Sequence, residues 1–195
     1  MRITGGSYRS RPLRAPKGDR TRPTSDRVRE ALFSILLARG GSPSFSGQRV
    51  LDLYAGTGAL ALEALSRGAA HATFVEEARD ALVALRGNIV ELDVAGRTTV
   101  LAMSVERAAR ALSRAPEGER FTLVFADPPY KFIQGGEFVQ SFIPILQSGA
   151  IAPDATVVIE HATADPPPVI SDLNLTDSRR YGDTSLSLYL YRSRI

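Results

Sequence analysis

An α/β fold built on a mainly parallel sheet is what this 195-residue sequence predicts, on three observations. From Gln48 onward, short apolar runs of strand length alternate with segments of helical period, the rhythm of right-handed βαβ crossovers. Three of those runs end on turns rich in Gly, Pro and carboxylates, at residues 52–58, 76–77 and 127–130, and ligands of open α/β sheets bind beyond the carboxyl ends of strands. The rhythm breaks only after Pro166-Pro167-Pro168, where residues 173–180 and 186–191 read as two strands joined at Gly182-Asp183. Such a terminal hairpin adds antiparallel strands to the parallel sheet, seven strands in all.

Taken in order, residues 1–22 hold short β-prone pieces broken by Gly5, Gly6, Pro12, Pro16 and Gly18. They predict a small hairpin or extended arm that buries little core, set before one domain over 23–195. Thr24 or Ser25 caps a helix whose Val28, Ala31, Leu32, Ile35 and Leu36 recur at helical spacing up to Gly40-Gly41. Strands follow at 50–54, 72–75, 98–101, 121–126 and 155–159, with helices at 60–66, 78–92, 105–112 and 136–146 between them.

Composition bounds the function. With 44% hydrophobic and 23% charged residues the chain reads as globular rather than disordered. No apolar run approaches the roughly 20 residues of a membrane span, and residues 1–6 lack a signal-like stretch, so the expected location is the cytoplasm. Zero Cys and two separate His leave no disulfide, thiolate or metal chemistry. Charge is unevenly spread: residues 1–29 hold nine basic residues against two acidic ones, whereas the rest holds 15 against 19. Guanidinium groups grip phosphates bidentately and release counterions. Composition alone leaves a nucleic-acid arm and a solvated tail equally open; the arm's direct run into a helix favours the first, with Arg9, Arg11, Arg22 and Arg27 on phosphates and Thr24 as cap or contact. Arg29 stays open between a phosphate contact and a structural ion pair.

After the first strand stands Asp52-Leu53-Tyr54-Ala55-Gly56-Thr57-Gly58. Gly56 and Gly58 permit a tight turn and close approach of a ligand, and the next helix offers free N–H groups. The third glycine of a dinucleotide fingerprint is absent. Asp52 is read as a ligand contact, with a capping carboxylate as the alternative. Glu76 closes the second strand, where a carboxylate accepts hydrogen bonds from ribose hydroxyls, while Glu77 suits the helix cap. The most specific signal is Asp127-Pro128-Pro129-Tyr130. Two prolines fix φ and donate nothing, so the Asp127 carboxylate and the Pro128 carbonyl form a stiff pair of acceptors suited to an NH₂ group, and Tyr130 supplies a ring for stacking a base.

The Asp127–Tyr130 set together with the 52–58 loop resembles the S-adenosylmethionine-dependent methyltransferases that act on amino nitrogens. Arg2-Ile3-Thr4-Gly5-Gly6, residues 22–33 (Arg-Pro-Thr-Ser-Asp-Arg-Val-Arg-Glu-Ala-Leu-Phe), residues 60–69 and Tyr181-Gly182-Asp183-Thr184 narrow the resemblance to the RsmD family, bacterial enzymes that modify guanine N2 in small-subunit (16S) ribosomal RNA. The resemblance spans nearly the whole chain and implies a Rossmann-like class I methyltransferase fold. It also implies S-adenosylmethionine as cofactor and 16S ribosomal RNA or the small ribosomal subunit as partner, without membrane or metal, for a monomeric protein.

On this reading Asp52, Tyr54, Ala55, Gly56 and Gly58 hold the methionine part of the cofactor and Glu76 its ribose. Where many superfamily members carry an acidic residue or Asn after the third strand, this chain has Met103-Ser104-Val105, so Ser104 and Val105 meet the adenine. Asp127, Pro128, Pro129 and Tyr130 are the catalytic set. The rivals are amino-methylation of DNA adenine N6 or of another RNA, and a non-catalytic RNA-binding module.

Overall fold

Helix α1 (Asp26–Gly40) starts at Ser25, whose hydroxyl accepts the Val28 N–H at 3.2 Å, so Ser25 makes the cap contact. The computed structural model describes residues 1–16, 25–40, 44–112 and 116–192; Arg22 and Thr24 lie outside them. The described chain divides into two compact units, Met1–Ala102 and Met103–Ile195.

In the first unit, β1 (Arg49–Leu53), α2 (Ala59–Ser66), β2 (His71–Glu76), α3 (Arg79–Glu91) and β3 (Thr98–Ala102) follow α1. The strands pair in parallel in the order β3-β2-β1, with Leu53 opposite Val75 and Glu76 opposite Ala102. The near-continuous apolar strands Arg49–Leu53 and His71–Glu76 are buried at Val50, Leu51, Leu53, Phe74 and Val75, as a sheet covered on both faces requires.

The second unit holds α4 (Val105–Leu112), β4 (Phe121–Ala126), α5 (Tyr130–Gln134), α6 (Glu137–Gln147), β5 (Ile151–Ala162), β6 (Leu173–Tyr181) and β7 (Thr184–Tyr191). Strand β5 pairs with β4 in parallel and with β7 antiparallel, and β6 pairs with β7 antiparallel, so the expected terminal hairpin is present. The seven strands belong to a mixed α/β sheet of the Rossmann-like class. Strand β5 is longer than the sequence implied. Its pairing with β4 jumps from Phe121↔Ile151 to Leu123↔Thr156, and the intervening Pro153 and left-handed Asp154 (φ 60°) absorb the bulge and hide the strand start. Helix α5 was also illegible, because one turn set directly after Pro129 carries no period.

The arm corrects an expectation. It closes as a hairpin, with Ile3 N–H donating to Arg11 O (2.9 Å), Ser10 N–H to Ile3 O (2.8 Å) and an isolated Arg2↔Pro12 bridge. It is nevertheless no appendage: residues 1–16 fall in the same compact unit as α1 to β3. Ile3 is fully buried and Leu13 nearly so, each stabilising by about 1.5–3 kcal/mol. Ser7 N–H donates to Ser66 O at 2.7 Å, Tyr8 N–H to Ser66 Oγ at 2.9 Å, and Ser66 Oγ–H to Gly5 O at 2.6 Å. Gly6 sits at φ 77°, where a Cβ would lie 1.9 Å from the Ser66 carbonyl oxygen. Gly6→Ala is therefore expected to cost about 1–3 kcal/mol, through overpacking and a strained φ, read as a lower urea midpoint; an unchanged midpoint contradicts this docking.

Candidate active site

At the end of β1, Asp52 is 2% exposed and its Oδ2 accepts the N–H of Ala61, the third residue of α2, at 3.2 Å. The carboxylate thus caps α2 from the strand beneath it, the alternative that the sequence left open. Burial, the largest cause, and the nearby Glu76 charge push its pKa up to about 8 against the Ala61 hydrogen bond. The folded state therefore holds a proton that the unfolded chain has lost. This contribution to stability is complete below about pH 4 and disappears as pH rises through about 8. Asp52→Asn is expected to flatten that decline in cofactor-free protein, measured as melting midpoint against pH; a wild-type profile in the variant rules the assignment out.

The loop after β1 puts three residues in the left-handed region, Tyr54 (φ 56°), Gly56 (φ 56°) and Gly58 (φ 78°). The two glycines differ in purpose. At Gly58 a Cβ would meet Leu85 Cδ1 at 2.4 Å and Phe74 Cε1 at 3.0 Å, so this position serves helix-to-strand packing. At Gly56 the nearest atom to such a Cβ is a backbone oxygen at 4.0 Å, leaving open space there. Gly58 N–H donates to Ala55 O at 2.7 Å and Ala55 N–H to Val75 O at 3.1 Å, fixing the turn.

Glu76 receives the Gly56 N–H on Oε2 at 2.8 Å, and the Glu77 and Ala78 N–H groups on Oε1 at 2.9 and 2.7 Å. The helix-cap role expected of Glu77 is not seen: Ala78 is the N-cap of α3, which has no side-chain cap hydrogen bond, and Glu77 is exposed. The half-exposed Glu76 carboxylate ties the glycine loop to the start of α3 and, with three of its roughly four lone-pair sites taken, keeps one on Oε2 for a hydroxyl donor.

In the second unit Asp127 is half-buried at the end of β4, Pro128 is buried and Pro129 is the exposed N-cap of α5 at φ −52° and ψ 131°. Tyr130 opens α5, half-buried, with its hydroxyl 2.9 Å from Thr184 Oγ1 at the start of β7. Ser104 is half-buried before α4, its carbonyl accepting the Arg107 and Ala108 N–H groups at 3.2 and 3.1 Å, and Val105 is buried.

Of the basic residues, Arg9, Arg11 and Arg27 are exposed, and Arg11 Nη2 donates to Glu91 O at 2.6 Å. Arg29 is fully buried: it donates to Asp26 Oδ1 at 2.8 Å and to the Arg2 carbonyl, and lies 3.5 Å from Glu63. It is the structural ion pair, closed to phosphates.

Two contributors escaped the sequence reading. Thr184 holds Tyr130 across a span of 54 residues. Asn88, 1% exposed, accepts the Arg14 N–H (2.7 Å) and donates to Arg14 O (3.2 Å) and Thr57 O (3.0 Å), joining the arm to the glycine loop. Its one sequence signal is a polar residue on the apolar stripe of Leu85, Ile89 and Leu92.

The mixed α/β sheet and the relatives of this sequence define a class I methyltransferase that uses S-adenosylmethionine. The open side of Gly56 beside Glu76 fits the amino-acid and ribose parts of that cofactor. The chain belongs to the RsmD family, whose model, described as Conserved hypothetical protein 95, matches residues 1–190. It is 32% identical over 190 residues to the Ribosomal RNA small subunit methyltransferase D of Escherichia coli (strain K12), covering 97% of this chain and 89% of that protein. The Haemophilus influenzae protein of the same name is 29% identical over 195 residues, covering 99% of this chain and 94% of that protein. A solved structure, the Thermus thermophilus hypothetical protein TTHA0928, superposes with TM-score 0.76 at 32% identity over 96% of this chain and 98% of that one.

Proposed function

We propose that this methyltransferase modifies the exocyclic N2 of a guanine in small-subunit ribosomal RNA. The supporting observation is the Asp127–Tyr130 turn, held by two prolines at a strand end and by the Tyr130–Thr184 hydrogen bond, in a chain whose relatives are named ribosomal RNA small subunit methyltransferases. When bound, S-adenosylmethionine supplies an already activated methyl carbon, so this chain's residues contribute chiefly positioning.

The guanine amine is a poor nucleophile because its lone pair is delocalised into the ring. Asp127 and the Pro128 carbonyl accept its two hydrogens, which favours a pyramidal nitrogen and fixes the lone pair's direction. Asp127 need not be a strong base, since the proton is lost only after the nitrogen has become cationic. The base enters unpaired or flipped out, stacked on Tyr130. Tyr54, Ala55 and Gly56, on the turn that Asp52 braces from beneath through α2 and that Gly58 packs against Phe74 and Leu85, form the methionine end of the cofactor site, Glu76 its ribose end, and Ser104 with Val105 its adenine end. Within the arm, Arg9 is exposed and Arg11 lies beside Glu91; these two, with Arg22 and Arg27, take phosphates.

Incubation with radiolabelled S-adenosylmethionine and, in parallel, small-subunit particles, free ribosomal RNA and DNA tests the reading by nucleoside analysis. Label in N2-methylguanosine is expected. Label in N6-methyladenine, or none in any substrate, overturns it.

A further inference from the structure

The outward face of α3 carries a stripe that neither the cofactor site nor the arm explains. At 3.6 residues per turn, Arg79, Val83, Arg86 and Val90 fall within a sector about 60° wide and run about 16 Å along the helix. Val83 and Val90 are 72% and 75% exposed. Arg79 and Arg86 are exposed and have no hydrogen-bond or ion-pair partner among the described residues. In contrast, Arg2, Arg14, Arg29 and Arg67 are each paired with a carboxylate.

Both ends of the stripe meet features already described. Arg79 stands three residues beyond Glu76, at the cofactor end of β2. At the other end the arm lies against the helix: the Arg14 side chain crosses Gly87, where a Cβ would be 3.1 Å from Arg14 Cδ, and Arg14 Nε pairs with Glu91 at 3.2 Å. An open groove of about 490 Å³ is lined there by Arg14, Arg86, Gly87, Val90 and Glu91. The acidic groups of α3 do not oppose the stripe. Glu91 is neutralised by Arg14, and Asp80 projects about 100° away from Arg79.

Two unpaired guanidiniums about 10 Å apart along the helix, with one small aliphatic side chain between them, another just beyond and no aromatic anchor, match a polyanionic strand better than a protein hot spot. We propose that this face of α3, with Arg14 beside it, carries the phosphate backbone of the RNA strand, its sugars resting on Val83 and Val90, between the arm and the cofactor end of the sheet. The proposal rests on the ribosomal-RNA reading above.

The test is the double variant Arg79→Ala/Arg86→Ala in the full chain, binding a small-subunit ribosomal RNA transcript between roughly 50 and 200 mM salt. Two lost phosphate contacts on a single strand lower the slope of log affinity against log salt by about 1.4, and affinity at the low-salt end is expected to fall about tenfold. Cofactor affinity and kcat at saturating RNA stay at wild-type values. Wild-type affinity and slope in the variant overturn the proposal while leaving the methyltransferase reading intact. A defect seen with assembled particles and not with free transcript also overturns it, in favour of a protein contact. If the unaltered protein neither binds nor methylates the transcript or the particle, the earlier reading fails first and this one with it.

Discussion

Asp127→Ala is expected to lower methyl transfer by about 10²–10⁴-fold, the range for loss of a positioned group that contacts the reacting atom. The expected binding constant for S-adenosylmethionine stays within a few-fold of wild type, because the glycine turn and Glu76 belong to other strands. Single-turnover label transfer and equilibrium dialysis on the same preparation separate the two quantities. Pro128 and Pro129 keep the turn rigid with or without the carboxylate, so loss of activity is not accompanied by unfolding of β4 or α5. A variant that binds cofactor poorly, or that methylates normally, removes Asp127 from the acceptor role.

The second large effect concerns stability. Glu63 and Arg29 are both fully buried, and Glu63 also accepts the Thr4 N–H at 2.7 Å, the Thr4 hydroxyl at 2.8 Å and Arg67 Nε at 2.8 Å. Glu63→Ala removes the carboxylate beside Arg29 Nε, leaving that buried cation with the carboxylate of Asp26, takes the carboxylate partner from Arg67, and leaves the arm tied to α2 through Ser66. Breaking one side of a buried pair costs about 3–5 kcal/mol, and for a chain of this size that lowers the melting midpoint by roughly 10 °C. Calorimetry of Glu63→Ala beside Glu63→Leu/Arg29→Met isolates the cost of the stranded Arg29 charge, since the double variant removes that cation and is expected to recover part of the deficit while the Thr4 and Arg67 donors still lack Glu63. A deficit as large in the double variant as in the single one rejects the ion-pair explanation.

Much of this architecture was written in local patterns. The helix at 105–112 and the strand at 121–126 coincide with α4 and β4, because apolar periodicity and the flanking breakers agree there. Apart from β5, which starts four residues earlier and ends three later than expected, and the unexpected α5, the differences are a residue or two at element ends. What stayed hidden depends on partners distant in the chain. For Arg29 the sequence leaves a phosphate contact and a structural ion pair both open, and the partners that decide it include Glu63, 34 positions on. Asp52 and Glu76 were read for what they offer a ligand, while their backbone partners Ala61 and Gly56 emerge only when strand and turn are in place. The arm was judged by its own few apolar residues, yet Ile3 and Leu13 are buried by surfaces that other segments provide.

Asn88 has a consequence for engineering. Because one amide spans the backbone of Arg14 and the carbonyl of Thr57, the leading hairpin is not an interchangeable cassette. A chimera with a foreign N-terminal segment keeps the fold of this unit tight only if that segment also satisfies this amide, Glu63 and Ser66; otherwise the graft loosens the glycine turn after β1.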